Sequence, residues 1–289
     1  MKLVSFSLEQ GNKYFGKIDG ARFFIGSRVS YAGGKGLMNA SGSAVQKYQR
    51  DAFRTTFGIW ADFIHPTAMA EGGLYHTLNT YDRARFTFSF LQYAAHVPNG
   101  DFVMYFRALL RLASAKDYFP DLELANNRIC KIDDTGLVPL ESDTSTELLM
   151  DYLNPSLNEV EDTEIIQAAK LIHWAQDDEH RKVEIEVGIT NFKTKMAGYA
   201  LQYKLDGADD AVCVAIADIR HQGRAKSPAI IAALQDSNPL NALLKIGEPQ
   251  YHERLVVLRR EIAALTADGS FGSYKYSLKN KDFVKKGLN

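Results

Sequence analysis

A mainly helical α+β fold is what this sequence predicts, with a β-rich N-terminal patch, a small β-hairpin lobe and a long helical body. Three observations carry that expectation. Apolar residues recur at helical spacing through much of the chain beyond Phe53. A two-residue hairpin signal, Asp19-Gly20, separates two short β-type runs near the start, and Phe86, Phe88 and Phe90 alternate with Thr87, Ser89 and Leu91. The expected segments are 1–50 as the β-rich part, 51–269 as the helical body with its hairpin lobe, and 270–289 as a basic tail.

Composition sets the class. A chain of 289 residues, 46% hydrophobic and 24% charged, has material for a real core as one large domain or two unequal ones. Its 34 basic and 35 acidic side chains leave a net charge of -1, so no global basic field exists to hold nucleic acid, and no nucleic-acid partner is expected. No segment reaches the roughly 18 apolar residues of a membrane span. Residues 1–20 also lack an apolar run of signal-peptide length, so synthesis in the cytoplasm without a signal peptide is expected, any action outside following release or delivery. Cys130 and Cys213, without metal-ligand spacing, read as buried small apolar residues rather than a disulfide.

The elements follow in chain order. Tyr14 to Ile18 and Ala21 to Ile25 flank the Asp19-Gly20 turn, whose two positions favour positive φ. Residues 26–44, rich in Gly and Ser, read as loop, and Gly33-Gly34-Lys35-Gly36 lacks the Ser or Thr and the spacing of a phosphate loop. Phe53, Phe57, Trp60 and Ile64 predict a helix that Pro66 kinks or restarts, and Gly72-Gly73 ends it. Asn79 to Asp82 reads as a turn before the strand at Phe86 to Leu91. Pro98 and Asn99-Gly100 open a helix carrying Phe102, Val103, Phe106 and Leu109, and Asp162 or Thr163 opens another through His173. Over residues 182–204 strand and helix compete, with a slight preference for helix; Ala211 to Ile219 reads as a buried helix capped by Gly223. The tail, with Lys275, Lys279, Lys281, Lys285 and Lys286, reads as a solvated terminus or a mobile basic arm.

Chemistry concentrates between Glu71 and Gln92. Glu71 falls in the final turn of an apolar helix, where burial and the negative end of the helix dipole both disfavour the charged form, a seat that suits a proton donor. Asp82 follows eleven residues later in a polar turn, and Thr87 sixteen residues later in the strand. Cutting a glycosidic bond needs such a pair, one carboxyl protonated and one ionised.

A Glu ending a helix, an Asp in a hairpin and then a Thr in a strand resembles the lysozyme-like superfamily, which includes phage-type and goose-type lysozymes and chitosanases. The resemblance covers about 25 residues and matches Glu71, Asp82 and Thr87 to that group's catalytic triad; the longer Glu-to-Asp gap, the two glycines and the chain length depart from it. It implies a lysozyme-like catalytic domain and a muramidase acting on β-1,4 bonds of bacterial peptidoglycan, without metal or organic cofactor. Glu71 would protonate the leaving oxygen, Asp82 activate water or stabilise the cationic state, and Thr87 hold that water. Tyr81, Gln92 and Tyr93 are expected to line the sugar site, and on the same analogy Asp218 and His221, at the end of the buried helix, contact substrate. The alternatives are a chitosanase or lytic transglycosylase, or a non-catalytic cell-wall-binding or phage structural protein. An endolysin released through a holin, or a toxin with delivery machinery and an immunity protein, would fit the missing signal peptide.

Other chemistries have less support. The seven histidines show no close ligand spacing, and His76 and His96 read as polar lining. Ser41 and Ser43 lack a nucleophile elbow.

Overall fold

The computed structural model describes residues 1–40 and 46–287 and shows an α+β protein in which helices predominate. In chain order the described elements are β1 (Ser5–Glu9), β2 (Lys13–Ile18), β3 (Ala21–Tyr31), β4 (Gly34–Asn39), α1 (Asp51–Phe57), α2 (Ile59–Ala70), β5 (Leu78–Asn79), β6 (Thr87–Phe88), β7 (Tyr93–Ala94), α3 (Asp101–Leu109), α4 (Ala115–Tyr118), β8 (Leu122–Ala125), β9 (Arg128–Asp133), β10 (Gly136–Pro139), α5 (Glu147–Leu153), α6 (Asp162–Trp174), α7 (Asp178–Tyr203), α8 (Asp210–Gln222), α9 (Ser227–Leu234), α10 (Pro239–Leu243), α11 (His252–Ala267), β11 (Tyr274–Ser277) and β12 (Asp282–Lys285). They form two compact units, drawn along different lines from the three segments read in the sequence. One holds Met1–Lys47 and Leu74–Val187, the other Tyr48–Gly73 and Gly188–Asn289.

In the first unit, strands β1 to β7 form one antiparallel sheet in sequence order. The Asp19-Gly20 turn is as expected, with φ of 50° and 84°, and joins Ile18 to Ala21. Residues 26–39 are not loop. They continue β3 and form β4, closed by a turn at Ala32-Gly33 whose φ values are 50° and 88°. The glycines of β4 answer to packing. A Cβ on Gly36 would lie 2.7 Å from the Thr80 carbonyl carbon, and one on Gly34 2.2 Å from the Tyr81 oxygen. The long strand expected over Phe86 to Leu91 shrinks to β6, because Ser89 (φ 78°) and Gln92 (φ 58°) turn the chain into β7. Phe86, Phe88 and Phe90 are nevertheless all buried, and with Phe102, Tyr105 and Phe106 of α3 they build an aromatic core. A second sheet, β8 to β10, whose Asn126-Asn127 turn adopts positive φ, had no counterpart in the expected elements.

The second unit packs α2 against α11 and α8. Pro66 does not restart α2, which runs continuously through it; the break falls at Gly58 (φ 56°), and Pro66 sits buried inside the helix, supplying no N–H to the carbonyl of Asp62. α8 is the expected buried helix, ending at Gly223 in the left-handed conformation. The basic tail is folded: β11 pairs with β12, and Asp210 accepts the N–H groups of Gly272 and Tyr274. The competing patterns at residues 182–204 resolve as helix, within the 26-residue α7. Both cysteines are buried and free.

Candidate functional site

Glu71 belongs to the second unit. It caps α2, its N–H returning to the Thr67 and Ala68 carbonyls at 3.1 and 3.2 Å, and Gly72 (φ 86°) and Gly73 (φ 68°) then turn the chain away. A Cβ on Gly73 would meet only the mobile end of the Met69 side chain, at 2.6 Å, so the second glycine answers to its positive φ rather than to contact. The apolar seat expected around the carboxyl is instead ionic. Oε1 of Glu71 pairs with Nη1 of Arg254 from α11. The same guanidinium donates to Asp218, from Nη2 to Oδ1 at 2.6 Å and from Nε to Oδ2 at 3.3 Å. Arg224 Nη1 reaches Asp218 Oδ2 at 2.5 Å, and the Thr67 hydroxyl donates to Oδ1 at 3.0 Å.

Charges therefore alternate in a row, Arg224, Asp218, Arg254, Glu71, and exposure rises toward one end. The Arg224 and Asp218 side chains are closed off from solvent, whereas that of Glu71 is 20% exposed. Burial pushes the Asp218 carboxyl up, but Arg254 and Arg224 outweigh it and hold Asp218 below the usual carboxylate range. A substrate contact through Asp218 is thus excluded by burial; its role in the row is to fix Arg254. His221 packs on the Phe192 ring, and burial lowers its imidazole below the ordinary range against the opposing pull of Glu71 and Asp218.

Asp82 and Thr87 belong to the first unit, in the β5–β6–β7 lobe. The carboxylate of Asp82 is held at both oxygens. Oδ1 accepts the Ala84 N–H at 2.9 Å, and Oδ2 accepts the Asn79 side-chain amide at 3.0 Å. Asn79 in turn stands opposite Thr87 across β5 and β6, which puts the two side chains on one face. The Thr87 hydroxyl takes no hydrogen bond among the described residues. His96 is close enough to Asp82 and Arg83 to feel both charges, although burial is what chiefly lowers its imidazole. Tyr81, next to Asp82, meets Tyr31 edge-on at 6.2 Å between ring centroids, and Tyr31 is 69% exposed.

The other expected sugar contacts divide. Gln92 lies in the Ser89–Gln92 turn and keeps partial exposure. Tyr93 does not line a surface; it is 1% exposed and donates its hydroxyl to the Glu184 carbonyl at 2.7 Å, and Tyr75 is likewise buried. An aromatic at this density fills the core before it can stack on a ligand.

Within the second unit the structure thus links Glu71 to Asp218 through Arg254, and within the first Asn79 holds Asp82 and stands opposite Thr87 across β5 and β6. Arg254, Arg224, Asn79 and Tyr31 were not anticipated. For Asn79 a signal existed, since Asn-x-x-Asp in a turn favours side-chain capping of the loop. For Arg254, one of many arginines on helical segments, there was none.

The carboxyls that burial raises lie elsewhere in the first unit. Glu164 is pushed up to about 7 and Glu184 well above the ordinary range. Each has one oxygen, Oε2, without a partner.

Ser41 and Ser43 lie outside the described residues. Among the described residues no group of three or more His, Cys, Asp or Glu side chains converges as metal ligands, and no helix is long and apolar enough to cross a membrane. No known protein family, curated protein or solved structure matches the chain.

Proposed function

We propose that this protein is a lysozyme-like glycoside hydrolase that cuts β-1,4 bonds of an amino-sugar polymer, bacterial peptidoglycan first among them. The observation that carries the assignment is the place of Asn79, which holds an Asp in a turn and stands opposite a Thr on one small lobe that follows, in sequence, a helix ending in Glu-Gly-Gly. Asp82 accepts a proton from water or faces the cationic transition state, and Thr87 holds that water. Arg254 occupies Oε1 of Glu71, leaving Oε2 as the oxygen that carries a proton to the leaving group. Tyr31 and Tyr81 offer ring faces and hydroxyls to a sugar.

The Arg254 ion pair favours a second assignment, in which Glu71 supplies the negative charge and Asp82 the proton. An aryl glycoside with a good leaving group separates the two, because such a substrate needs little acid assistance. Glu71→Gln that retains activity on it is the acid variant; one that loses it has lost the charged partner.

The primary test is clearing of a peptidoglycan suspension. Wild type should clear it and Glu71→Gln should not, by at least about a hundredfold in rate. Equal clearing by the two rejects Glu71. Sedimentation with cell walls and no released sugar would identify a binding protein instead, and the masses of products separate hydrolysis from anhydro-sugar formation. A chitosan substrate checks the chitosanase alternative.

A further inference from the structure

The turn that carries Asp82 is anchored from below more heavily than its sequence suggests. Thr80, at its start, is completely buried and is bound to β4 in three ways. Its N–H donates to the Leu37 carbonyl at 3.0 Å, its hydroxyl oxygen accepts the Leu37 N–H at 2.6 Å, and Gly36 packs against its backbone too closely for any side chain. Asn154, also completely buried, closes the turn at both ends by donating its amide to the Thr80 carbonyl at 2.9 Å and the Arg85 carbonyl at 3.0 Å. Arg85 is tied outward to Glu147 and Asp151 of α5.

The last anchor is a carboxyl. Glu164, in the first turn of α6 and 0% exposed, accepts the Thr80 hydroxyl proton on Oε1, while its Oε2 has no partner. A buried acid is costly without a compensating role, and an alanine or leucine would fill this place without that cost. While it accepts the Leu37 N–H, the Thr80 hydroxyl has two acceptors in reach for its own proton, the Leu37 carbonyl at 3.3 Å and Glu164 Oε1, and the carboxyl oxygen is the nearer.

From this geometry we infer that Glu164 is a positioning residue, which through Thr80 holds the Asp82 turn in its working conformation. The inference rests on the hydrolase assignment for its functional half. Its structural half does not.

Two variants test it, Glu164→Gln, which keeps an acceptor for Thr80, and Glu164→Leu, which keeps bulk and removes the acceptor. Amide hydrogen exchange of the full-length protein is read first. Glu164→Leu should exchange residues 80–85 at least about tenfold faster than wild type while α3 stays protected, and Glu164→Gln should match wild type. Unchanged exchange at 80–85 in Glu164→Leu overturns the inference. Peptidoglycan clearing is read second. A kcat lowered about tenfold or more in Glu164→Leu with KM held, restored by Glu164→Gln, supports the positioning role, whereas an unchanged kcat in the loosened variant overturns it. Inactivity of the wild type on every amino-sugar polymer would end the hydrolase assignment alone, because exchange still decides whether Glu164 holds the turn.

Discussion

Arg254 grips Asp218 with two of its nitrogens, at 2.6 and 3.3 Å, inside a helical core from which Asp218 is wholly excluded from water. That bond fixes the guanidinium whose third nitrogen meets Glu71. The orientation of the partly exposed carboxyl is therefore set by a buried one.

Removing the charge of Asp218 should be costly. Asp218→Asn leaves Arg254 and Arg224 facing each other with no anion between them, and a loss of about 3–5 kcal/mol in urea unfolding is expected. The folded-state value of Asp218 lies below its ordinary 3.8, so its contribution is present above that pH and is lost as pH falls through the folded value. Wild type and variant should thus converge in strong acid. A difference that stays constant with falling pH would contradict the ion-pair account.

For Glu164 the sign is opposite. Burial raises it from 4.5 to about 7, so the folded state binds the extra proton between those values and stability falls as pH rises through them. Glu164→Gln should flatten that slope, gaining up to about 3 kcal/mol over wild type at pH 8 and almost nothing at pH 4. Denaturant midpoints at the two pH values check it; parallel curves would refute it.

Gly36→Ala drives a methyl group into the Thr80 backbone, 2.7 Å from its carbonyl carbon. Overpacking of this kind costs about 1–3 kcal/mol, so a fall of several degrees in Tm is expected. An unaltered Tm would show that β4 can move aside.

Tyr31→Ala should weaken substrate binding without touching the chemistry. Loss of one stacking ring is worth about 1 kcal/mol, which predicts KM raised roughly fivefold at unchanged kcat, with Tyr31→Phe close to wild type. A change in kcat alone would place Tyr31 outside the substrate path.

Much of the fold was legible because local rules decided it. The Asp19-Gly20 turn, the capped helix end at Gly223 and the termination of α2 at Gly72-Gly73 each follow from backbone preferences of a few residues. What was misread depended on distant partners. Gly34 and Gly36 look like loop residues until the Thr80–Tyr81 backbone is seen lying on them. Pro66 reads as a break, yet tertiary packing of α2 against α8 and α11 carries the helix through it. The period of two from Phe86 to Phe90 identified the buried aromatic set correctly while overstating the strand, because Ser89 turns at positive φ and still leaves all three rings inside. Around Glu71 the apolar neighbours in sequence gave no sign of Arg254, which arrives from 183 residues away.

Glu184 leaves a mark on the whole molecule. Wholly enclosed, bonded at 2.6 Å to Ser89 and held far above the ordinary carboxylate range by burial, it retains hydrogen at a pH where surface acids have lost theirs. Glu164, raised to about 7, acts in the same direction, so these two carboxyls carry less negative charge in the folded molecule near neutrality than the formal count assigns them, and unfolding restores it.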